Sequence, residues 1–282
     1  MAERIGSLVD IVKHYDVILC DVWGVLHNGV SPFAQAPVAL KAARDAGASV
    51  VLITNSPRPG KDVIVQLDAI GVARSAYDRI VTSGDVTRKL IAEGPKNIFF
   101  IGADRDTPLL EGLGTTIVDA DAAEVVVCSG FVDDENETPE MYREQLAYLV
   151  DRGLVMICAN PDLIVERGHK LIPCAGALAA LYEDLGGATR IAGKPHAPIY
   201  AAAIAEAEDH RGAFERARVV AVGDGMPTDV KGAISQDLDL LYISAGIHAR
   251  DYMTGDVTDE SKMNAFLAHH EASPRWWMPR LA

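Results

Sequence analysis

The sequence predicts an α/β fold built on a parallel sheet. Three observations carry that expectation: short uninterrupted apolar runs recur along the chain, segments with helical spacing separate them, and polar residues follow several runs directly. Strands covered on both faces read as continuous apolar runs rather than as alternations. A repeated strand–helix–strand rhythm calls for crossovers and hence parallel strands.

The elements follow in order. Residues 17–20 form an apolar run ending at Asp21, and 50–53 a second ending at Thr54-Asn55. Between them, 37–46 carries Val38, Ala39, Ala42, Ala43 and Ala46 at helical spacing, with Gly47 as a stop. Ile80-Val81 reads as a strand and 86–93 as a helix before Gly94. A second series starts at 97–101 and continues with a strand at 124–128, a helix at 141–151, a strand at 155–159 and a helix at 177–184 closed by Gly186-Gly187. A short strand then leads into Ala192-Gly193-Lys194-Pro195. A helix at 198–207 and a strand at 219–222 ending at Gly223-Asp224-Gly225 come next, then a helix holding Ile234, and the last strong strand at 240–243. The alanines of 201–207 are helix-forming composition. The Trp276-Trp277 pair reads as packing, and the chain shows no internal repeat.

Composition limits the functions available. A chain of 282 residues with 49% hydrophobic and 23% charged residues has ample material for a core. Its net charge of −14 repels a phosphate backbone, so nucleic acid is not an expected partner. No apolar run approaches the roughly 20 residues a bilayer span needs, so no membrane partner is expected. The first residues lack a basic start followed by an apolar stretch, which points to a cytoplasmic location. Cys20, Cys128, Cys158 and Cys174 lie in apolar segments without a C-x-x-C pair, so buried free thiols are expected rather than zinc or disulfides.

Four segments place polar residues where chemistry is usual, just beyond the carboxyl ends of strands. Asp21 follows four apolar residues, where a carboxylate is costly unless paired or bound to a cation. Thr54-Asn55 offers a hydroxyl, an amide and fresh N–H groups for an anion, and equally the cap of an ordinary helix. Lys194 sits between Gly193 and Pro195, which suits a cation aimed into a pocket or a plain surface turn. Gly223-Asp224-Gly225 with Asp229 puts two carboxylates on one glycine-opened loop, a hard-oxygen set suited to Mg2+ or, alternatively, a solvated turn. Taken in this order and these strand contexts, the four signals reinforce one another.

Asp21-Val22-Trp23-Gly24-Val25-Leu26, Thr54-Asn55, Gly193-Lys194-Pro195 and Gly223-Asp224 with Asp229 resemble, in order, the four motifs of the haloacid dehalogenase (HAD) superfamily. The likeness is greatest to the class IIA branch of NagD-like and p-nitrophenyl-phosphatase-like enzymes, and Ala159-Asn160-Pro161-Asp162 resembles a segment of that branch's cap. The resemblance implies a Rossmann-like core at 1–90 and 190–282 with an α/β cap at 91–189. It implies a Mg2+-dependent phosphatase for a small phosphorylated metabolite, and a possible homodimer. Asp21 would be the nucleophile, forming an aspartyl-phosphate. Thr54 and Asn55 would hold the phosphoryl oxygens, with Lys194 neutralising charge. Asp21, the Trp23 carbonyl, Asp224 and Asp229 would hold the metal.

One position departs from the pattern. Most phosphatases of the family carry a second Asp two residues after the nucleophile as general acid and base, and here that residue is Trp23. Such assistance contributes about 10²–10⁴-fold, or roughly 3–5 kcal/mol of barrier. A good leaving group such as an acyl phosphate would need less of it. Alternatively a histidine supplies the proton: His27 first, then His196, then His169 beside Lys170. The remaining readings are a phosphate-ligand binding protein with little or no turnover, and a metal-independent dehalogenase.

Overall fold

The computed structural model describes residues 2–282. Two parallel sheets organise the chain. The first has seven strands in the order Glu3–Arg4, Trp276–Met278, Asp239–Ile243, Val219–Gly223, Val17–Asp21, Ser49–Thr54 and Arg79–Thr82, every pairing parallel. The second has five, in the order Ala188–Ile191, Val155–Cys158, Val125–Cys128, Asn97–Ile101 and Thr116–Ile117, again all parallel. The expected α/β class with a parallel central sheet is what the chain adopts.

The apolar runs have a direct structural cause. Successive side chains of a strand point to opposite faces. Ile18 and Cys20 pack with Val50, Leu52, Val220 and Leu241 against the helices Val9–Val12, Gln35–Asp45 and Gly60–Ile70. Val17 and Leu19 turn the other way, with Val51, Ile53 and Val219, onto Ile199, Tyr200, Ala203 and Ala207 of the helix Ala197–Arg211. Both faces are dry, so the middle of each of these strands is wholly apolar and polar side chains are confined to the strand ends.

The second sheet repeats the arrangement. Val126, Cys128, Met156 and Cys158 pack on the helices Arg143–Asp151 and Ala175–Asp184, while Ile98, Val125, Val127 and Ile157 face Leu109 and Leu110. The helix Ser83–Glu93 joins the two sheets physically: its Val86 packs in the core of the first and its Ile91 in the core of the second. The boundary expected at residue 90 therefore falls inside one continuous helix.

Two features extend the sequence reading. Trp276-Trp277 packs, as expected, but as part of an inner strand that pairs with both Asp239–Ile243 and Glu3–Arg4. A hairpin, Ile164–Arg167 with Lys170–Pro173, stands apart from both sheets. The four cysteines are free and buried. Among the described residues no helix is long and apolar enough to cross a membrane.

Candidate active site

The strands Val17–Asp21, Ser49–Thr54 and Val219–Gly223 are neighbours in the first sheet, so their carboxyl ends bring Asp21, Thr54 and Asp224 to one edge. Lys194 enters from the link between Ala188–Ile191 and Ala197–Arg211. Its position is set by Asn55: the Lys194 N–H donates to Asn55 Oδ1 at 2.7 Å, and Asn55 Nδ2 donates back to the Lys194 carbonyl at 3.2 Å. With its backbone held in this way, Lys194 Nζ donates to Asp21 Oδ1 at 2.5 Å and to Asp229 Oδ1 at 2.7 Å. Lys194 is 2% exposed and Asp21 5%.

The acidic loop is held by backbone donors. Asp224 Oδ2 accepts from the Ile247 N–H at 2.7 Å, and Asp229 Oδ2 from the Gly225 N–H at 3.0 Å. A single π-helical turn, Met226–Val230, swings Asp229 back toward the strand end; such turns are common at functional sites. Two glycines make room for Asp224. A Cβ on Gly24 would lie 2.3 Å from Asp224 Oδ2, on a backbone whose φ of +87° already favours glycine. A Cβ on Gly246 would lie 2.0 Å from the same oxygen.

Asp21, Asp224 and Asp229 each offer a carboxylate oxygen within 4.8 Å of the others. Three buried carboxylates face one ammonium, and the electrostatics record the imbalance. Burial, then Asp229, pushes the Asp21 carboxyl well above its usual range against the pull of Lys194. Burial and Asp229 likewise raise Asp224 to about 7, against the Ile247 N–H. Burial disfavours the Lys194 charge, yet Asp21 and Asp229 hold its pKa well above that of an ordinary lysine. The site lacks about two positive charges. An all-oxygen donor set in a glycine-lined cradle fits a hard divalent cation such as Mg2+.

These groups line a cavity of about 230 Å3, roofed by the 164–173 hairpin. Trp23, at the position of the absent acid, reaches away to the hairpin and donates from Nε1 to the Glu166 carbonyl at 2.5 Å. Two further contacts dock the hairpin: the Gly168 N–H on the Asn28 carbonyl at 3.0 Å, and Arg250 to Glu166 at 3.6 Å.

The structure places the three candidate histidines differently. His27 is 1% exposed, does not line this cavity, and accepts the Gly29 N–H through Nδ1. Its ring meets the edge of Trp23, and burial lowers its pKa to about 4, so it is neutral and enclosed at physiological pH. His196 sits exposed at the start of Ala197–Arg211 and also does not line the cavity. His169, at the tip of the hairpin, does line it. Sequence reasoning left Asp162 out of the site: its carboxyl lines the cavity and accepts from Asn55 Nδ2 at 2.8 Å. The signal was available in the Asn160-Pro161-Asp162 segment, but not the contact that gives it meaning.

Comparison with known proteins agrees with this geometry. A family model described as haloacid dehalogenase-like hydrolase matches residues 18–116, and a second, HAD-hydrolase-like, matches 191–267. The ribonucleotide monophosphatase NagD of Escherichia coli is 27% identical over 242 residues, spanning 83% of this chain and 89% of that protein. The acid sugar phosphatase of Staphylococcus saprophyticus is 23% identical, spanning 85% and 90%. A crystal structure of a haloacid dehalogenase-like family hydrolase from Brucella suis is 50% identical, covers 100% of both chains and superposes with a TM-score of 0.89. With a full-length likeness at that identity and with the four strand-end motifs meeting in one buried site, the chain belongs to the haloacid dehalogenase-like hydrolase family, in its class IIA branch.

Proposed function

We propose that the chain is a Mg2+-dependent phosphatase that hydrolyses a small phosphorylated metabolite through an aspartyl-phosphate on Asp21. The observation that carries this reading is the Asp21 carboxylate held 2.5 Å from Lys194 at the floor of a cavity where three buried carboxylates share that one ammonium. Relatives named as phosphatases of ribonucleotides, sugars and glycerol phosphate support the substrate class.

In this reading Asp21 attacks phosphorus and the leaving oxygen departs on the opposite side. Lys194 Nζ bridges Asp21 and the incoming phosphoryl group. Thr54 and the backbone around Asn55 take phosphoryl oxygens. Asp21, Asp224, Asp229 and the Trp23 carbonyl would hold the Mg2+, which when bound offsets the repulsion between two anions. The hairpin roof and the dry sheet beneath limit access of bulk water. Four buried free thiols suit a reducing, cytoplasmic setting.

The test is release of phosphate from p-nitrophenyl phosphate and from sugar and glycerol phosphates, with and without Mg2+. Turnover that needs the metal and vanishes in Asp21→Asn supports the reading. Saturable binding of phosphate esters without turnover would support the second reading, a binding protein, which Trp23 at the acid position favours.

A further inference from the structure

Beside the catalytic cavity lies a second, of about 290 Å3, enclosed between the first sheet's loops and the second sheet's. Four residues line both: Trp23, Thr54, Asp162 and Val165. If the phosphoryl group sits on Asp21, the rest of the substrate extends past these four into the second cavity, and the scissile oxygen lies between. Of the four side chains, only Asp162 carries a carboxyl able to give and take a proton.

The surroundings of Asp162 suit proton donation. Its backbone N–H donates to Asn160 Oδ1 at 3.0 Å, in a tight turn braced by Pro161. Its Oδ1 accepts from Asn55 Nδ2, the amide that also positions Lys194. Among the described residues no protein donor engages its other carboxyl oxygen. Burial raises the carboxyl above the ordinary aspartate range, with Asp229 adding to the rise and Asn55 and Lys194 opposing it. The remaining candidates fit less well. Trp23 is committed to the Glu166 carbonyl. His27 is enclosed, and His196 lies outside the cavity. His169 lines only the catalytic cavity, from an exposed hairpin tip.

We infer that Asp162, supplied by the second sheet's domain, is the general acid and base of the reaction, in place of the acid absent at position 23. This rests on the phosphatase reading above. In the first step the Asp21–phosphorus bond forms, the bond from phosphorus to the leaving oxygen breaks, and the Asp162 proton passes to that oxygen. In the second, water attacks phosphorus and gives a proton to the Asp162 carboxylate, while the Asp21–phosphorus bond breaks and inorganic phosphate leaves. The substrate class is thereby an ordinary alkyl phosphate monoester, whose alkoxide requires a proton, and not only an acyl phosphate or anhydride.

The experiment measures kcat/KM for a series of phosphate monoesters from 2,4-dinitrophenyl phosphate to glycerol phosphate, with the full chain in Mg2+. Asp162→Asn keeps an acceptor for Asn55 Nδ2, and Asp162→Ala removes it. The expected result is a loss in Asp162→Asn that grows with leaving-group pKa, from a few-fold on the dinitrophenyl ester to about 10²–10⁴-fold on the alkyl ester. A loss equal across the series overturns the inference, because it marks a structural role. A selective loss in His169→Asn instead also overturns it. Wild-type protein inert toward the dinitrophenyl ester sinks the phosphatase reading, and this inference with it. Dinitrophenyl turnover with no differential in Asp162→Asn sinks the inference alone.

Discussion

The floor and the roof of the catalytic cavity are built differently. On the floor, Asp21, Lys194, Asp224 and Asp229 rise from strand ends and the loops beside them; each carboxylate accepts from a backbone N–H or from the Lys194 ammonium within 3.0 Å. The roof is a hairpin of two four-residue strands, partly exposed, joined to the floor by Trp23, Asn28 and Arg250. The floor holds charges that would repel one another in water, and so has to be rigid before substrate arrives. The roof carries little core of its own, and elements with few buried apolar contacts open at low free-energy cost. In the proposed mechanism, chemistry belongs to the rigid region, and admission and selection to the loosely held one.

The largest expected effect tests the floor at its centre. Asp21→Asn, isosteric but without a nucleophile, is expected to lower kcat by at least about 10⁴-fold while the fold persists, read by phosphate release and by thermal unfolding. Lys194→Met comes next. It removes the ammonium that faces three buried carboxylates, so a loss of about 10²–10³-fold in kcat is expected together with on the order of 3 kcal/mol of stability. Added Mg2+ is expected to return part of that stability, as a rise in Tm larger in the variant than in wild type. An equal rise in both would mean that the lysine and the cation do not share the same carboxylates.

Gly246→Ala probes the floor without touching a charge. The new Cβ would overlap Asp224 and displace its carboxylate. An ångström of misplacement costs about 10²-fold, so weaker Mg2+ binding in titrations and a comparable fall in kcat are expected. The roof should respond more mildly. Trp23→Phe deletes the donor to the Glu166 carbonyl, worth about 1 kcal/mol, and is expected to raise KM more than it lowers kcat. A pure kcat loss would show that the indole serves the chemistry and not the docking of the hairpin.

The smallest effect lies outside the site. Asp78 accepts the Val50 N–H at 2.8 Å, pairs with Arg44, and meets His210 Nε2 at 3.1 Å. Although burial works against its charge, Arg44 and the Val50 N–H hold its pKa below the usual carboxylate value. A depressed carboxyl stabilises the fold above its unfolded pKa, and that contribution disappears as pH falls through the folded value. Asp78→Asn is therefore expected to flatten the acid limb of the stability–pH curve and to leave phosphate release nearly unchanged.

Much of the fold was legible because of one physical condition. Strands at 17–21, 49–54, 125–128 and 219–223 are dry on both faces, and such burial leaves an apolar run that any reader of the chain sees. The hairpin at 164–173 left no such mark. Its strands carry Glu166, Arg167 and Lys170, lie partly in solvent, and owe their place to the loop after Asp21. Trp276–Met278 was legible as packing but not as a strand, since three residues carry no periodicity and the pairing partner at 239–243 lies far upstream.

The floor was legible for a related reason: a polar residue placed directly after a dry strand stands out against the run before it. Asp162 follows the same kind of run, but at a remove of four residues. His27 looked available because it follows the first motif, and burial under Trp23 closed it off. Local order along the chain thus determined the sheet class, the strand ends and the charged set on the floor, because burial acts on each segment by itself. Tertiary packing alone decided which histidine reaches the cavity, that Trp23 faces the roof, and that Asp162 stands where two cavities meet. The last two facts depend on distances between segments about a hundred residues or more apart in a compact domain, and no local preference records such a distance.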